Sequence, residues 1–293
     1  MNTNWSDYVQ GVGTLYLSRM LRFSNQHRQA YMQAFDLDGA RRLRMLELGC
    51  GPGALTQSLA RWYPNADITA IDLDSAFIEF AAHRAPGLRF IEADATALPF
   101  EDGEFDVTIS NTVQEHIAPE RFFGEQHRVL KRGGVCLVLS ARRGVNIEAD
   151  CVAQQSDFER DIWARVSERC RNMDRDLGVG RHAMSERELP QAMEAHGFDN
   201  VSTHYIAVNL TPDDPDVSPE AANAMIDAQR RMRLDAVQSL EQIAPDVVGK
   251  AELSELEAHV NRRYDERLAL YDAGKRQWDV SVSLTMVVRG VKR

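Results

Sequence analysis

The sequence has no C-x-x-C pair, no apolar run of bilayer length and no surplus of basic residues, and each absence closes a class of function. Its four cysteines, Cys50, Cys136, Cys151 and Cys170, stand far apart, so neither a zinc knuckle nor a dithiol redox centre is encoded, and no metal is expected. Cys50 lies in a glycine turn and Cys136 in an apolar run, where cysteine serves as a small hydrophobe. No apolar stretch approaches the roughly 20 residues that cross a bilayer. The first residues carry Asp7, Arg19 and Arg22 and lack the apolar core of a secretory leader, so a cytoplasmic protein is expected. With 34 basic and 44 acidic residues the net charge is −10, which offers no electrostatic footprint for nucleic acid or an anionic membrane. Internal repeats and low-complexity tracts are absent too. What remains, 293 residues that are 44% hydrophobic and 27% charged, is an ordinary globular composition in a chain longer than a typical single domain.

The organisation centres on the stretch from Met45 to Thr56. A short apolar run ends at Gly49-Cys50-Gly51-Pro52-Gly53, and a helical pattern follows with Leu55, Leu59 and Trp62 on one face. Strand, glycine turn and helix in that order bring backbone close to a nucleoside-sized ligand, because glycine has no Cβ to hold it away. Glu47 adds a carboxylate at the end of the strand. Read loosely, Gly49-x-Gly51-x-x-Ala54 satisfies the dinucleotide fingerprint of an oxidoreductase. Pro52 opposes that reading, since a pyrophosphate is held by backbone N–H groups and proline has none. A ligand without phosphate tolerates the loss. Glu47-Leu48-Gly49-Cys50-Gly51-Pro52-Gly53 resembles the first motif of the class I S-adenosylmethionine-dependent methyltransferases.

The downstream residues carry the resemblance further. Asp72 ends a second short strand about twenty residues past the turn, where a carboxylate accepts the ribose hydroxyls in nucleoside-binding folds. Asp74 or Ser75 can cap the helix that follows and leave Asp72 for that role. Asp94-Ala95, after a third strand, resembles the pair that meets adenine in the methyltransferases. A fourth strand, 105–110, leads into Asn111-Thr112-Val113 and His116, and a fifth covers 135–139. The order of these signals resembles the ubiquinone-biosynthesis-like, small-molecule methyltransferases. It implies an α/β fold: a Rossmann-like, doubly wound, seven-stranded sheet with an antiparallel last strand, plus helical lid insertions. It also implies S-adenosyl-L-methionine as cofactor, with S-adenosyl-L-homocysteine as product. The cofactor-binding positions implied are Glu47, Gly49, Cys50, Gly51, Gly53, Asp72, Leu73, Asp94, Ala95, Asn111, Thr112 and Val113.

Three segments are expected: an N-terminal helical lid over 1–39, interrupted near Gly11 and Gly13; a methyltransferase core over 40–210 and 276–293; and a helical insertion over 211–275. Residues 152–174 read as a charged helix with a Phe158, Ile162, Trp163, Val166 stripe. Ser185 and Glu188 form a capping box, and 201–210 and 278–288 read as the last two strands. Arg230, Arg231, Arg233, Arg262, Arg263 and Arg267 suggest nucleic acid at first sight. Asp227, Arg231 and Asp235 recur every four residues, however, which is the pattern of a paired, solvated face. Trp163, Met225, Met232 and Tyr264 are the expected lining of a mostly apolar acceptor pocket. A homodimerisation arm is the rival use of the insertion.

Methyl transfer asks the protein mainly to align an acceptor and exclude water. A base is needed only where the acceptor must lose a proton, and His116 is the candidate. The reading is a methyltransferase acting on a small organic molecule through an O, N or C atom. A cofactor-binding regulatory or assembly protein without transfer activity, or a methyltransferase of tRNA or protein, stands as the alternative.

Overall fold

The computed structural model describes residues 11–148, 152–176 and 178–293. Residues 1–10 of the expected lid, and Cys151, lie outside the described residues. The chain divides into two compact units. One gathers residues 22–145, 180–208 and 283–293, and the other the residues before Arg22 with 146–179 and 209–282.

The helices α1 (Val12–Arg22) and α2 (Arg28–Phe35) precede the first strand. Helix α1 runs through Gly13 rather than breaking there, while Gly11 stays outside it, its N–H donating to Asp235 Oδ2 at 3.1 Å. In β1 (Arg44–Leu48) side chains alternate, so Leu46 and Leu48 enter a core with Ile71, Leu98, Phe105 and Val129 while Glu47 points to the opposite face. Helix α3 (Ala54–Trp62) follows the glycine turn and buries Leu55, Leu59 and Trp62 at i, i+4 and i+7. Strand β2 (Asp67–Asp72) leads to α4 (Ser75–Arg84), which Asp74 caps by accepting the Ala76 N–H at 3.0 Å. Next come β3 (Arg89–Glu92), β4 (Phe105–Asn111), α5 (Pro119–Val129) and β5 (Leu130–Glu148).

The sheet is seven-stranded in the order β3-β2-β1-β4-β5-β7-β6, where β6 is Phe198–Leu210 and β7 is Ser281–Lys292. Strands β3 to β5 pair in parallel, and the last strands are antiparallel. Consecutive strands run outward from β1 to one edge, and the chain then crosses back to lay β4 on its other side, which makes the β1/β4 boundary the topological switch point. A second core joins Phe122, Phe123, Cys136, Val138, Met193, Phe198, Met286 and Val288. Strand β7 begins three residues later than the apolar alternation from Trp278 suggests. Trp278 has φ +52°, and its N–H and that of Gln277 both donate to Asp213 Oδ2, at 2.8 and 2.7 Å, so the backbone there cannot extend.

The other unit is helical. Helix α6 (Asp157–Asp176) starts later than the pattern over 152–174 because Ser156 and Glu159 close a capping box at 2.7 and 3.2 Å. Between α6 and β6 lies α7 (Glu188–Ala195), part of the sheet unit, where Ser185 and Glu188 exchange hydrogen bonds as expected. Helices α8 (Pro219–Ile243) and α9 (Lys250–Asp272) pack with α6 around Ile162, Val166, Val237, Leu240, Leu256 and Val260. Trp163 and Phe158 pack at the border of that core. Four of the insertion's arginines are engaged within the unit, three of them as follows: Arg231 with Asp227 at 2.7 Å, Arg230 with Asp265, and Arg263 with Glu159 at 3.1 Å. Arg267 is fully buried between Asp213 and Asp279, at 2.9 and 2.6 Å. A cleft of about 490 Å³ opens among Leu210, Met225, Ile226, Gln229, Arg233 and Tyr264. Met225 and Tyr264 line it, and Trp163 and Met232 do not.

Candidate functional site

The carboxyl ends of β1, β2 and β4 meet around the glycine turn. The Cys50 N–H donates to Ile71 O at 2.9 Å and the Gly51 N–H to Asp72 Oδ2 at 2.8 Å, which ties the turn to the end of β2. Gly49, Gly51 and Gly53 have φ of +62°, +52° and +80°, a region that L side chains enter only with strain. Packing adds a second demand. A Cβ on Gly49 would stand 2.3 Å from Val113 Cγ2, and one on Gly53 2.9 Å from Ala81 Cβ and 3.0 Å from the Phe90 ring. Two of the three glycines therefore answer to the chain's own close approach, whatever ligand the turn receives.

Two carboxyl groups lie beneath this turn, both with their pKa raised by burial. Glu47 is buried, and Thr56 Oγ1 donates to its Oε2 at 2.6 Å. Burial pushes its pKa up to about 8; the Thr56 bond pulls the other way and the nearby Asp72 charge adds to the rise. Glu47 is thus a neutral acid at pH 7, placed under the site as a structural hydrogen-bonding group. Asp72 is half-buried, its pKa also raised by burial against the N–H groups of Asp74, Gly51 and Leu73 that stabilise its charge. Its Oδ1 accepts the Asp74 N–H at 3.0 Å and its Oδ2 the Gly51 N–H. A carboxylate has about four lone-pair sites, so both oxygens can still accept hydroxyls. Leu73, beside it, is 50% exposed. At the end of β3 the Asp94 carboxylate is exposed, with Oδ1 accepting the Thr96 N–H at 2.7 Å, and Ala95 is half-buried.

The far side is the turn after β4. The Thr112 N–H donates to Leu139 O at 2.9 Å, and Thr112 has φ +54°, a strained backbone for a β-branched residue. Asn111 Oδ1 is shut off from solvent with no hydrogen bond among the described residues. Buried acceptors are rarely left so, because the unmade bond costs about 1–3 kcal/mol. The next turn, 114–116, is strapped by 180–182: the Gln114 amide donates to His182 O at 2.8 Å, the His182 N–H to Glu115 O at 2.8 Å, and the Gly180 N–H to His116 Nδ1 at 3.2 Å. With Nδ1 accepting, the neutral imidazole carries its proton on Nε2. A base role for His116 therefore requires the Gly180 bond to open.

The residues present would fit an adenosyl amino acid: Asp72 and Asp94 offer acceptors that ribose hydroxyls and an adenine amine could use, Leu73 offers an apolar surface, and Asn111 an orphaned acceptor. Sequence reading placed these positions together but missed Thr56, whose partner lies nine residues back on the other side of the turn, and the fit of Val113 against Gly49. A mainly parallel sheet with this turn at its switch point defines the Rossmann-like class, in which nucleoside ligands bind at the strands' carboxyl ends.

Comparison with known proteins narrows the class. A family model described as a methyltransferase domain matches residues 46–138. A protein of Mycobacterium ulcerans named probable phthiotriol/phenolphthiotriol dimycocerosates methyltransferase 2 is 35% identical over 189 residues, 61% of this chain and 68% of that protein. The phthiotriol/phenolphthiotriol dimycocerosates methyltransferase of Mycobacterium tuberculosis is 34% identical over 150 residues, 50% of this chain and 54% of that one. A fatty-acid O-methyltransferase of Mycolicibacterium smegmatis is 38% identical over 140 residues, 46% of this chain and 50% of that one. The chain thus spans about half the length of the last two. A solved structure of Haemonchus contortus phosphoethanolamine N-methyltransferase 2, in complex with S-adenosyl-L-methionine, shares the fold at a TM-score of 0.53 and 15% identity, over 100% of this chain and 60% of that one. The chain belongs to the class I S-adenosylmethionine-dependent methyltransferase family.

Proposed function

We propose that the chain methylates a small, largely apolar organic acceptor, with S-adenosyl-L-methionine as donor held by the twelve residues from Glu47 to Val113 that the sequence marks. The observation that carries this reading is the orphaned Asn111 Oδ1 among the acceptors at the sheet's carboxyl end, a set matched to a ligand rich in donors and lacking phosphate. When bound, the cofactor supplies an electrophilic methyl group on a cationic sulfur. The chain's part is to orient the acceptor and exclude water.

The cleft of about 490 Å³ within the helical unit has the size and mixed lining of a small-molecule site, with Met225, Ile226 and Tyr264 as its apolar wall. In this reading residues 40–210 and 276–293 supply the core and 211–275 the acceptor-bearing insertion. Two relatives are named for dimycocerosate and fatty-acid substrates, which supports an apolar acceptor. The engaged Nδ1 of His116 favours a group that is already nucleophilic, such as a carboxylate, over one that must be deprotonated.

Calorimetry with S-adenosylhomocysteine and with a nicotinamide dinucleotide tests the cofactor, and release of S-adenosylhomocysteine from a panel that includes fatty acids tests the acceptor. Binding of the first ligand, weakened by about 1–3 kcal/mol in Asp72→Ala, is expected. Tight dinucleotide binding with no response to S-adenosylhomocysteine would overturn the reading, and cofactor binding without turnover on any acceptor would return the chain to a regulatory role.

A further inference from the structure

The cleft of the helical unit has an apolar wall, but the charge on its lining is mostly of one sign. Arg160, Arg233 and Arg263 line it, and the only carboxyl group among the described lining residues is Asp279. That carboxylate already answers to Arg267, 2.6 Å away, which Asp213 flanks at 2.9 Å. Guanidinium groups thus dominate a cavity of about 490 Å³ whose carboxylate is held by an arginine behind it. The whole chain carries a net charge of −10, so the sign of the cleft runs against that of the molecule, and its concave wall concentrates the field.

Arg263 is the most telling of the three. It lies in the middle of α9, and its side chain is 9% exposed. Its Nη1 donates to the Ala153 carbonyl, and the guanidinium lies over the Tyr264 ring at 5.1 Å. Nε and Nη2 are shut off from solvent without a hydrogen bond among the described residues. Glu159 Oε1 stands 3.1 Å from Nη2, an ion pair by distance, yet neither atom makes an aligned hydrogen bond. The other oxygen of Glu159 takes the Ser156 N–H at 2.7 Å. A buried donor left unmade costs about 1–3 kcal/mol, and more on a charged group. Arg267, also buried, has the same edge filled: its Nε and Nη2 both donate to Asp279 Oδ1, at 2.9 and 2.6 Å. Within one unit, then, the chain closes the fork edge of one buried arginine with its own carboxylate. On the arginine that lines the cleft it leaves open the edge that matches two carboxylate oxygens.

We propose that the cleft recognises an amphiphilic carboxylate. Arg263, with Arg160 and Arg233, takes its acid group, and Leu210, Met225, Ile226 and the Tyr264 ring take its apolar body. This deepens the methyltransferase reading above and rests on it for the role of the cleft as acceptor site. A neutral alcohol or ester of the same shape would desolvate the guanidinium groups without supplying a counter-charge, so the cleft selects against the uncharged analogue as well as for the acid.

The test uses the full chain, with decanoate, decanol, methyl decanoate and decyl phosphate as probes. Two variants are compared with the parent. Arg263→Lys keeps a cation beside the buried Glu159 and removes the fork. The double variant Arg160→Gln/Arg233→Gln removes charge from the lining and leaves Arg263 in place. Calorimetry at low and high salt measures affinity for each probe and for S-adenosylhomocysteine, and thermal melting is followed without ligand. In the parent, decanoate should bind roughly tenfold or more tighter than decanol or methyl decanoate, and added salt should weaken decanoate alone. Both variants should lose most of that preference and keep their affinity for S-adenosylhomocysteine. Equal affinity for decanoate and decanol, no measurable binding of either, or a preference that survives in both variants would overturn the proposal and leave the methyltransferase reading standing. Tighter binding of decyl phosphate than of decanoate would overturn it in favour of a phosphate head group. Equal losses for every probe and for S-adenosylhomocysteine, with a lowered melting temperature in both variants, would make the arginines packing residues and overturn it too. A preference for decanoate in a protein that does not bind S-adenosylhomocysteine would support the acid-binding cleft and bring down the methyltransferase reading alone.

Discussion

Glu47→Gln turns the protonation state of a buried acid into a measurable slope. In the folded chain the Glu47 carboxyl titrates at about 8, raised by burial from an unfolded value of 4.5. Between those two pH values the folded state holds a proton that the unfolded state has released, so stability falls as pH rises, by up to about 1.4 kcal/mol per pH unit. From pH 5 to pH 7 the loss from this one group comes to about 2.5 kcal/mol, and it levels off above pH 8. Glutamine keeps an acceptor for Thr56 Oγ1 and has nothing to titrate. The variant should therefore show a flatter profile and gain most over the parent at pH 9, the top of the range. Urea unfolding at half-unit steps from pH 5 to 9 reads this directly, with the free-energy difference between the two proteins plotted against pH. A difference that stays constant over that range would show that Glu47 is ionised in the fold, and would refute its assignment as a neutral acid beneath the turn.

Gly49→Ala should destabilise by about 2–4 kcal/mol, from a left-handed backbone and an overpacked contact with Val113; combining it with Val113→Ala should recover part of that loss in chemical denaturation and would recover none if backbone strain alone were responsible. His116→Ala should lower the melting temperature by loosening the 180–182 strap while kcat on a carboxylate acceptor changes less than tenfold; a fall of roughly a hundredfold or more with cofactor affinity kept would make His116 the base. Arg267→Met should destabilise by about 3–5 kcal/mol because it leaves the buried Asp213 and the partly exposed Asp279 without their cation. Urea unfolding of the Arg267→Met variant checks this, and a loss below about 1 kcal/mol would deny the charge a part in the fold.

The readable parts of this fold are those set by neighbours in sequence. Gly49, Gly51 and Gly53 mark a turn because no other residue takes those φ values cheaply, and Asp74 caps α4 two residues away. Asp72, Asp94 and Asn111 could be placed at strand ends because the periodicity of each strand stops there. Features made between distant segments were not readable. Val113 closes on Gly49 only once β4 lies beside β1. The late start of β7 depends on Asp213, 65 residues before Trp278. The His116 ring looked poised for proton transfer until the Gly180 N–H, 64 residues on, was found on its Nδ1.

The contacts of Asp213 bear on how the helical insertion can change. One oxygen accepts the N–H groups of Gln277 and Trp278 while the side chain meets Arg267, so the points where the chain enters and leaves α8 and α9 sit within a hydrogen bond of each other. A segment anchored at a single point has nearly free length: doubling a closed loop adds only about 0.6 kcal/mol of closure entropy. Helices could be lengthened, shortened or exchanged beyond this clasp without moving either flank, provided Asp213 and the residues it holds are kept. The clasp thus marks a natural splice site, where one helical cap could be swapped for another to change the acceptor while the cofactor turn is left alone.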